Sequence, residues 1–185
     1  MSHLEYPLDA NKILRKKKSI KKNLLLDDDL IIKNIAILGG STTSEIKNIL
    51  ELFLLKNGIK PNFYESEYNK YYEDALFGND ELDKFNPDII YIHTTNKNII
   101  KYPDPNDEFE DVEMLIGNEI KKYKSIWSSL SKFDCAVIQN NFDHTENRIL
   151  GNLDCYDIHG KTYFIHKLNY WFSLNARKIK NLYIN

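Results

Sequence analysis

The residues of this 185-residue chain that could do chemistry gather directly after short apolar runs. Gly39-Gly40-Ser41-Thr42-Thr43 follows Ile35-Ala36-Ile37-Leu38 and precedes a stretch of helical periodicity, which puts a hydroxyl on a sharp strand-to-helix turn. Backbone N–H groups and the helix dipole favour negative charge at such a turn, so it suits an oxyanion or a phosphate. A purely structural alternative uses the same residues: the glycines make the turn, and Thr42 with Glu45 forms a capping box. Neither G-x-x-x-x-G-K-[ST] nor G-x-G-x-x-G occurs, which argues against the common nucleotide-binding loops.

His93-Thr94-Thr95-Asn96-Lys97-Asn98 follows the run Ile89-Ile90-Tyr91-Ile92 and offers a base, hydroxyls and amides. An amide such as Asn96 would suit donation to a developing oxyanion. The alternative is a strand end capped by its own side chains, with His93 half buried. Asn140-Asn141, after Ala136-Val137-Ile138-Gln139, carries the same two readings, and Tyr68 lies in the polar stretch 65–69 after a further short strand. Cys155 and His159 share one loop and would suit a thiolate pair, but two residues do not specify a nucleophile. His3, His93, His144, His159 and His166 show no C-x-x-C or H-E-x-x-H spacing, so no zinc site is expected. Asp27-Asp28-Asp29 imitates the D-x-D of haloacid-dehalogenase phosphatases, yet Ile31 stands where those enzymes place Thr or Val. An acidic loop is the simpler reading.

The elements that must position these groups alternate. Strands are expected at 35–38, 60–64, 89–92, 135–138 and 182–184, and helices at 44–57, within 71–85, at 108–132 and at 163–178, with an irregular loop at 142–160. Gly58 closes the first of these helices. Short apolar strands alternating with helices predict an α/β fold, a three-layer α/β/α sandwich on a parallel sheet of flavodoxin-like topology. Ligands of such sheets bind outside the carboxyl ends of the strands, where every polar cluster above is found. Before them, residues 1–30 hold a basic amphipathic helix at 10–25 and an acidic linker. That helix either meets an acidic partner or membrane surface, or packs on its own domain with a solvated lysine face.

Composition narrows the classes. With 25 Lys+Arg against 27 Asp+Glu the formal charge is -2, which excludes a strongly basic nucleic-acid binder. Two cysteines are too few for a disulfide framework, no apolar run is long enough for a membrane span, and no secretory signal is evident, so a cytoplasmic protein is expected.

IAILGGSTT at 35–43, PDIIYIHTTNKN at 87–98, VIQNNFD at 137–143, LGNLDCYDIHG at 150–160 and Lys167-Leu168-Asn169 together resemble one family. The chain is similar, over about residues 10–185, to the N-terminal region of the FkbH-like proteins, the haloacid-dehalogenase subfamily IIIC group. The resemblance implies an SGNH-hydrolase-like domain over 31–185, followed by a phosphatase-like domain that would lie beyond Asn185. It also implies glyceryl or other acyl-unit transfer to carrier proteins in polyketide or surface-glycan biosynthesis. No cofactor is implied for this part; magnesium belongs to the phosphatase-like domain. The partners implied are a carrier-bound or phosphorylated small substrate and that second domain.

Carried over by residue, the SGNH nucleophile falls on Ser41 and the third-block Asn on Asn96. Gly40, Thr42, Thr43, Tyr68, His93, Thr94, Thr95, Asn140 and Asn141 are the expected substrate-binding residues. The second-block glycine has no counterpart where Tyr68-Asn69 stands, the final Asp-x-x-His would lie beyond Asn185, and Asp157-Ile158-His159 has a different spacing. Lacking its base, Ser41 would be a poor nucleophile. The expectation is therefore a substrate- or carrier-binding domain, with an active SGNH-type acyl hydrolase or transferase using Ser41 as the alternative.

Overall fold

The computed structural model describes residues 4–185; His3 lies outside them. Five strands form one parallel sheet: β1 (Ile31–Gly39), β2 (Ile59–Glu65), β3 (Ile89–His93), β4 (Ala136–Gln139) and β5 (Leu182–Ile184), in the order β2-β1-β3-β4-β5. Ile35 pairs with Ile89 and Gly39 with His93, so the carboxyl ends of the two central strands finish level. Around the sheet lie α1 (Ala10–Leu24), α2 (Ser44–Lys56), α3 (Tyr71–Leu76), α4 (Asp80–Phe85), α5 (Phe109–Leu130) and α6 (Lys161–Ala176).

One handedness rule explains the layers. The crossover from β1 to β2 runs one way along the sheet and the other three run the opposite way, so right-handed connections put α2 on one face and α3–α6 on the other. Alternation along each strand agrees. Ala36, Leu38, Ile90, Ile92, Val137 and Leu182 join the main core with Ile116, Tyr123 and Trp127 of α5 and Phe164, Leu168 and Phe172 of α6. Ile35, Ile89, Tyr91 and Ile138 point to the α2 side. In the main core the rings of Tyr123 and Phe172 lie 4.8 Å apart, and Trp127 stacks on Trp171 at 5.6 Å.

The basic helix packs rather than reaching out. Ile13 and Ile20 of α1 are buried against Leu52 of α2, while Lys17 and Lys21 pair with Glu45 at 3.0 Å and Glu51 at 2.7 Å. Three boundaries differ from the sequence expectation. β1 begins at Ile31, where Ile31 and Ile32 are exposed and so carry no burial signal. The helical stretch 71–85 is two short helices, because Gly78 takes φ 79° and Asn79 then caps α4 by accepting from Glu81 N–H. The 142–160 loop contains a 3-10 turn, Gly151–Cys155, and α6 begins at Lys161.

Asp154 explains that early start. It is fully buried and accepts from the Thr162 N–H at 2.8 Å and the Leu150 N–H at 3.4 Å, tying the loop to the first turn of α6. Burial pushes its carboxyl up, but hydrogen bonds from Thr162, Leu150 and Lys161 outweigh that and hold it below the ordinary range. A carboxylate depressed on folding contributes stability above its unfolded value, about 3.9, and that contribution disappears as pH falls through the folded value. Asp154→Asn is expected to cost about 1–2 kcal/mol near neutral pH and to flatten the fall of Tm below about pH 4. An acid limb as steep as that of the parent protein would contradict this role.

Candidate functional site

The order β2-β1-β3-β4-β5 reverses between β1 and β3, and the crevice outside their carboxyl ends is where sheets of this type take ligands. β1 finishes at Gly39, whose N–H donates to Ser66 Oγ at 2.9 Å; the next N–H, of Gly40, donates to the His93 carbonyl at 2.8 Å. The turn is thus pinned from β2 and β3 before the chain enters α2. Gly40 is required for a steric reason: a Cβ there would stand 2.6 Å from the Asn98 side chain.

Asn98 is the hub. Its Nδ2 donates to the Gly40 carbonyl at 2.7 Å and to Asn69 Oδ1 at 3.1 Å, while its Oδ1 accepts from the Thr95 N–H at 2.8 Å. Asn69 sits after β2 with φ 61°, a left-handed conformation that Asn tolerates better than most residues. The three segments following β1, β2 and β3 are therefore joined through two asparagine side chains. Ser41 is half-buried within this arrangement. Among the described residues its hydroxyl, its own N–H and the N–H of Thr42 have no protein hydrogen-bond partner, so they are free to meet a ligand.

The other expected site residues separate into groups. Thr43, not Thr42, takes the N-cap of α2, is buried, and makes no side-chain cap bond; Glu45 is held by Lys17 instead. The Thr42–Glu45 capping box is thus replaced by an ion pair to α1. Asn96, expected as the oxyanion donor, gives its amide to the His144 carbonyl at 2.9 Å, and its backbone N–H goes to Asp143. It is the Asn98 side chain, not that of Asn96, that stands beside Gly40.

Thr95 caps the 3-10 turn Asn96–Asn98, and buried Thr94 accepts from Gln139 at 3.1 Å. Asn140 ties β4 to β3, accepting from the Thr94 N–H and donating to the Thr94 carbonyl. The Asn141 N–H donates to the carbonyl of Asn185, and Tyr68 is exposed. His93 is half-buried with Nδ1 3.2 Å from the Tyr91 hydroxyl; burial pushes its imidazole down, against the pull of Asp143, so it is neutral near pH 7. Among the described residues no imidazole or carboxylate hydrogen-bonds Ser41. Nor do Cys155 and His159 pair: both ring nitrogens of His159 are taken, by Asp157 at 2.8 Å and by the Asp107 carbonyl at 2.9 Å.

The chain matches the FkbH N-terminal domain over residues 34–185. It belongs to the FkbH N-terminal-domain family. Among solved structures it is similar to the N-terminal part of the protein BF1531 from Bacteroides fragilis, described as containing a phosphatase domain and complexed with Mg. The TM-score is 0.71 at 21% identity, over 91% of this chain and 44% of that one, a likeness of fold. The FkbH-type chain thus spans less than half of that structure's length. No curated protein matches it. Among the described residues there is no group of three or more His, Cys, Asp or Glu side chains that could hold a metal ion. Nor is any helix among them long and apolar enough to cross a membrane.

Two cavities flank this FkbH-type site. An apolar groove of about 800 Å³ runs between α2 and the sheet, lined by Ile35, Leu50, Phe53, Tyr91 and Ile138; it offers almost no polar group for chemistry. A polar cavity of about 670 Å³ begins at Asn69 and Asn98 and continues between α3 and α5. Its wall contains Lys122, whose Nζ donates to the Asn98 carbonyl at 2.7 Å and pairs with Glu119 at 3.3 Å. Glu119 in turn accepts from the Ile100 N–H at 2.7 Å. This α5 clamp on residues 98–100 carries no signature in the sequence beyond an ordinary helical i,i+3 charge pair.

Proposed function

We propose that this FkbH N-terminal domain is the substrate-binding part of an FkbH-type enzyme. It holds an acyl unit of glyceryl type in transfer to a carrier protein, with the acyl carbonyl oxygen at the free N–H groups of Ser41 and Thr42. A phosphatase-like domain with its magnesium would be supplied elsewhere in such an enzyme. The supporting observation is the set of unpaired donors at the Gly40–Ser41 turn, on a backbone locked from three strands. Donors fixed before the ligand arrives lose little entropy on binding it.

Ser41 anchors in this reading and does not attack. A hydroxyl without a base within hydrogen-bond reach stays protonated and is a weak nucleophile. The SGNH-type alternative draws its support from the same free hydroxyl beside oxyanion donors, and the two readings part at Ser41→Ala. With a glyceryl thioester of N-acetylcysteamine as carrier mimic, calorimetry on Ser41→Ala is expected to show affinity within about threefold of the parent, the loss of one hydrogen bond. The parent protein is expected to release no thiol above background. Thiol release that Ser41→Ala abolishes would overturn the binding reading and establish the catalytic one.

A further inference from the structure

We infer that the solvent face of α1 is a docking surface for an anionic lipid bilayer, with the helix lying flat along the headgroups. The inference is independent of the substrate-binding reading, and α1 precedes residues 34–185, which match the FkbH N-terminal domain. Seven of the 15 residues of α1 are Lys or Arg and none is acidic. Packing on α2 uses the apolar residues of α1 and two of these cations, Lys17 and Lys21. Lys12, Arg15, Lys16, Lys18 and Lys22 stay exposed, and among the described residues none of them forms an ion pair. The whole chain has a formal charge of -2, so everything outside α1 is strongly acidic. Such a separation turns α1 toward an anionic plane and keeps the acidic remainder away from it, screened beyond about 8 Å. A flexible polyanion such as a nucleic acid would meet both.

Apolar side chains border the cations. Leu14, Lys18 and Lys22 follow one another at i,i+4, Leu25 and Leu26 stand just past the last turn, and Tyr6 and Leu8 stand ahead of the first; all five apolar side chains are exposed. Cations flanked by aliphatic and aromatic side chains along about 22 Å of helix are what an interfacial element offers a bilayer. Because Ile13 and Ile20 are spent on α2, the helix adsorbs by its lysines and dips in only at its flanks. A protein partner would need a shaped seat for an anchor residue. The cavity at the first turn, about 410 Å³, is walled by Asp9, Asn11, Lys12, Arg15 and Lys16, with no apolar side chain among them, so a fluid surface suits this face better. Asp27, Asp28 and Asp29 follow α1 and bound the basic stripe at its carboxyl end.

The test is co-sedimentation of the whole chain with vesicles of phosphatidylcholine, either alone or with about one-third phosphatidylglycerol. Binding to the anionic vesicles is expected to be at least about tenfold tighter than to the neutral ones, and to be lost as salt rises from about 0.1 to 1 M. The variant R15E/K18E/K22E changes only exposed side chains and is expected to keep the parent Tm while losing at least about tenfold in vesicle affinity. L14S/L26S is expected to bind more weakly with the same salt dependence, and D27N/D28N/D29N to bind more tightly. Equal binding to both kinds of vesicle, or charge reversal without effect, would overturn the inference. Were the reversed variant to misfold, the parent's preference for anionic over neutral vesicles and its salt dependence decide alone. Soluble polyglutamate is the competing probe: a chain that it captures but anionic vesicles do not would have an acidic protein partner, and the bilayer would be wrong.

Discussion

Asn98→Asp is expected to disable the Gly40–Ser41 site while leaving a cooperatively folded domain. The new carboxylate keeps an oxygen that can accept from the Thr95 N–H, but it places the other oxygen where Nδ2 now meets the Gly40 carbonyl at 2.7 Å and Asn69 Oδ1 at 3.1 Å. Two hydrogen bonds become two oxygen–oxygen repulsions. The cost is about 2–4 kcal/mol, two bonds of ordinary strength plus an unsatisfied carbonyl, or a Tm drop on the order of 5–10 °C for a chain of this size. Affinity for the glyceryl thioester is expected to fall at least about tenfold, because the turn moves as the asparagine lock opens. Asn98→Ala, which creates no repulsion, is expected to lose less on both measures. Asn96→Ala is the control: it breaks bonds to the 143–144 loop and is expected to leave affinity nearly unchanged. Equal effects at 96 and 98 would contradict the assignment.

The second large effect is expected at Lys122→Met. Lys122 and Glu119 are only 10% and 2% exposed, so removing the ammonium leaves a carboxylate buried with the Ile100 N–H as its one remaining donor. Breaking a buried pair from one side costs about 3 kcal/mol or more, roughly 6–12 °C in Tm here. Pairing Lys122→Met with Glu119→Gln is expected to restore much of the loss, since a neutral Gln oxygen still accepts from Ile100 and no charge is stranded. Thermal denaturation of the single and double variants checks this. A double variant as unstable as Lys122→Met alone would mean that the stem packing of Lys122 against Tyr71 and Tyr123, 5.7 and 5.3 Å from its Nζ, matters more than the charge.

Much of the architecture was legible because parallel strands buried on both faces read as continuous apolar runs. Ile35 to Leu38 and Ile89 to Ile92 announce themselves in this way, and Gly58 marks the end of α2. The site was legible as a set of segments but not as a geometry. Asn96 and Asn98 lie two residues apart in one polar string, and only the 3-10 turn capped by Thr95 decides which meets Gly40. Asn69 was legible only as part of the polar stretch after β2, because a glycine is the usual sign of a left-handed residue, and here an asparagine serves. Glu119 gave no sign, since a charged residue in an amphipathic helix normally faces water. The basic run at α1 was ambiguous for the opposite reason: its apolar residues are few, and only the seating of Ile13 and Ile20 on α2 settles their direction.

The most direct test of the central claim, that the turn after β1 binds an acyl unit, is a titration of the isotope-labelled chain with the glyceryl thioester, followed by 1H–15N spectroscopy. The account predicts saturable shifts of the Ser41 and Thr42 backbone amides together with the Asn98 side-chain amide. Saturation with those three unmoved, or shifts confined to the apolar groove at Leu50 and Tyr91, would contradict it.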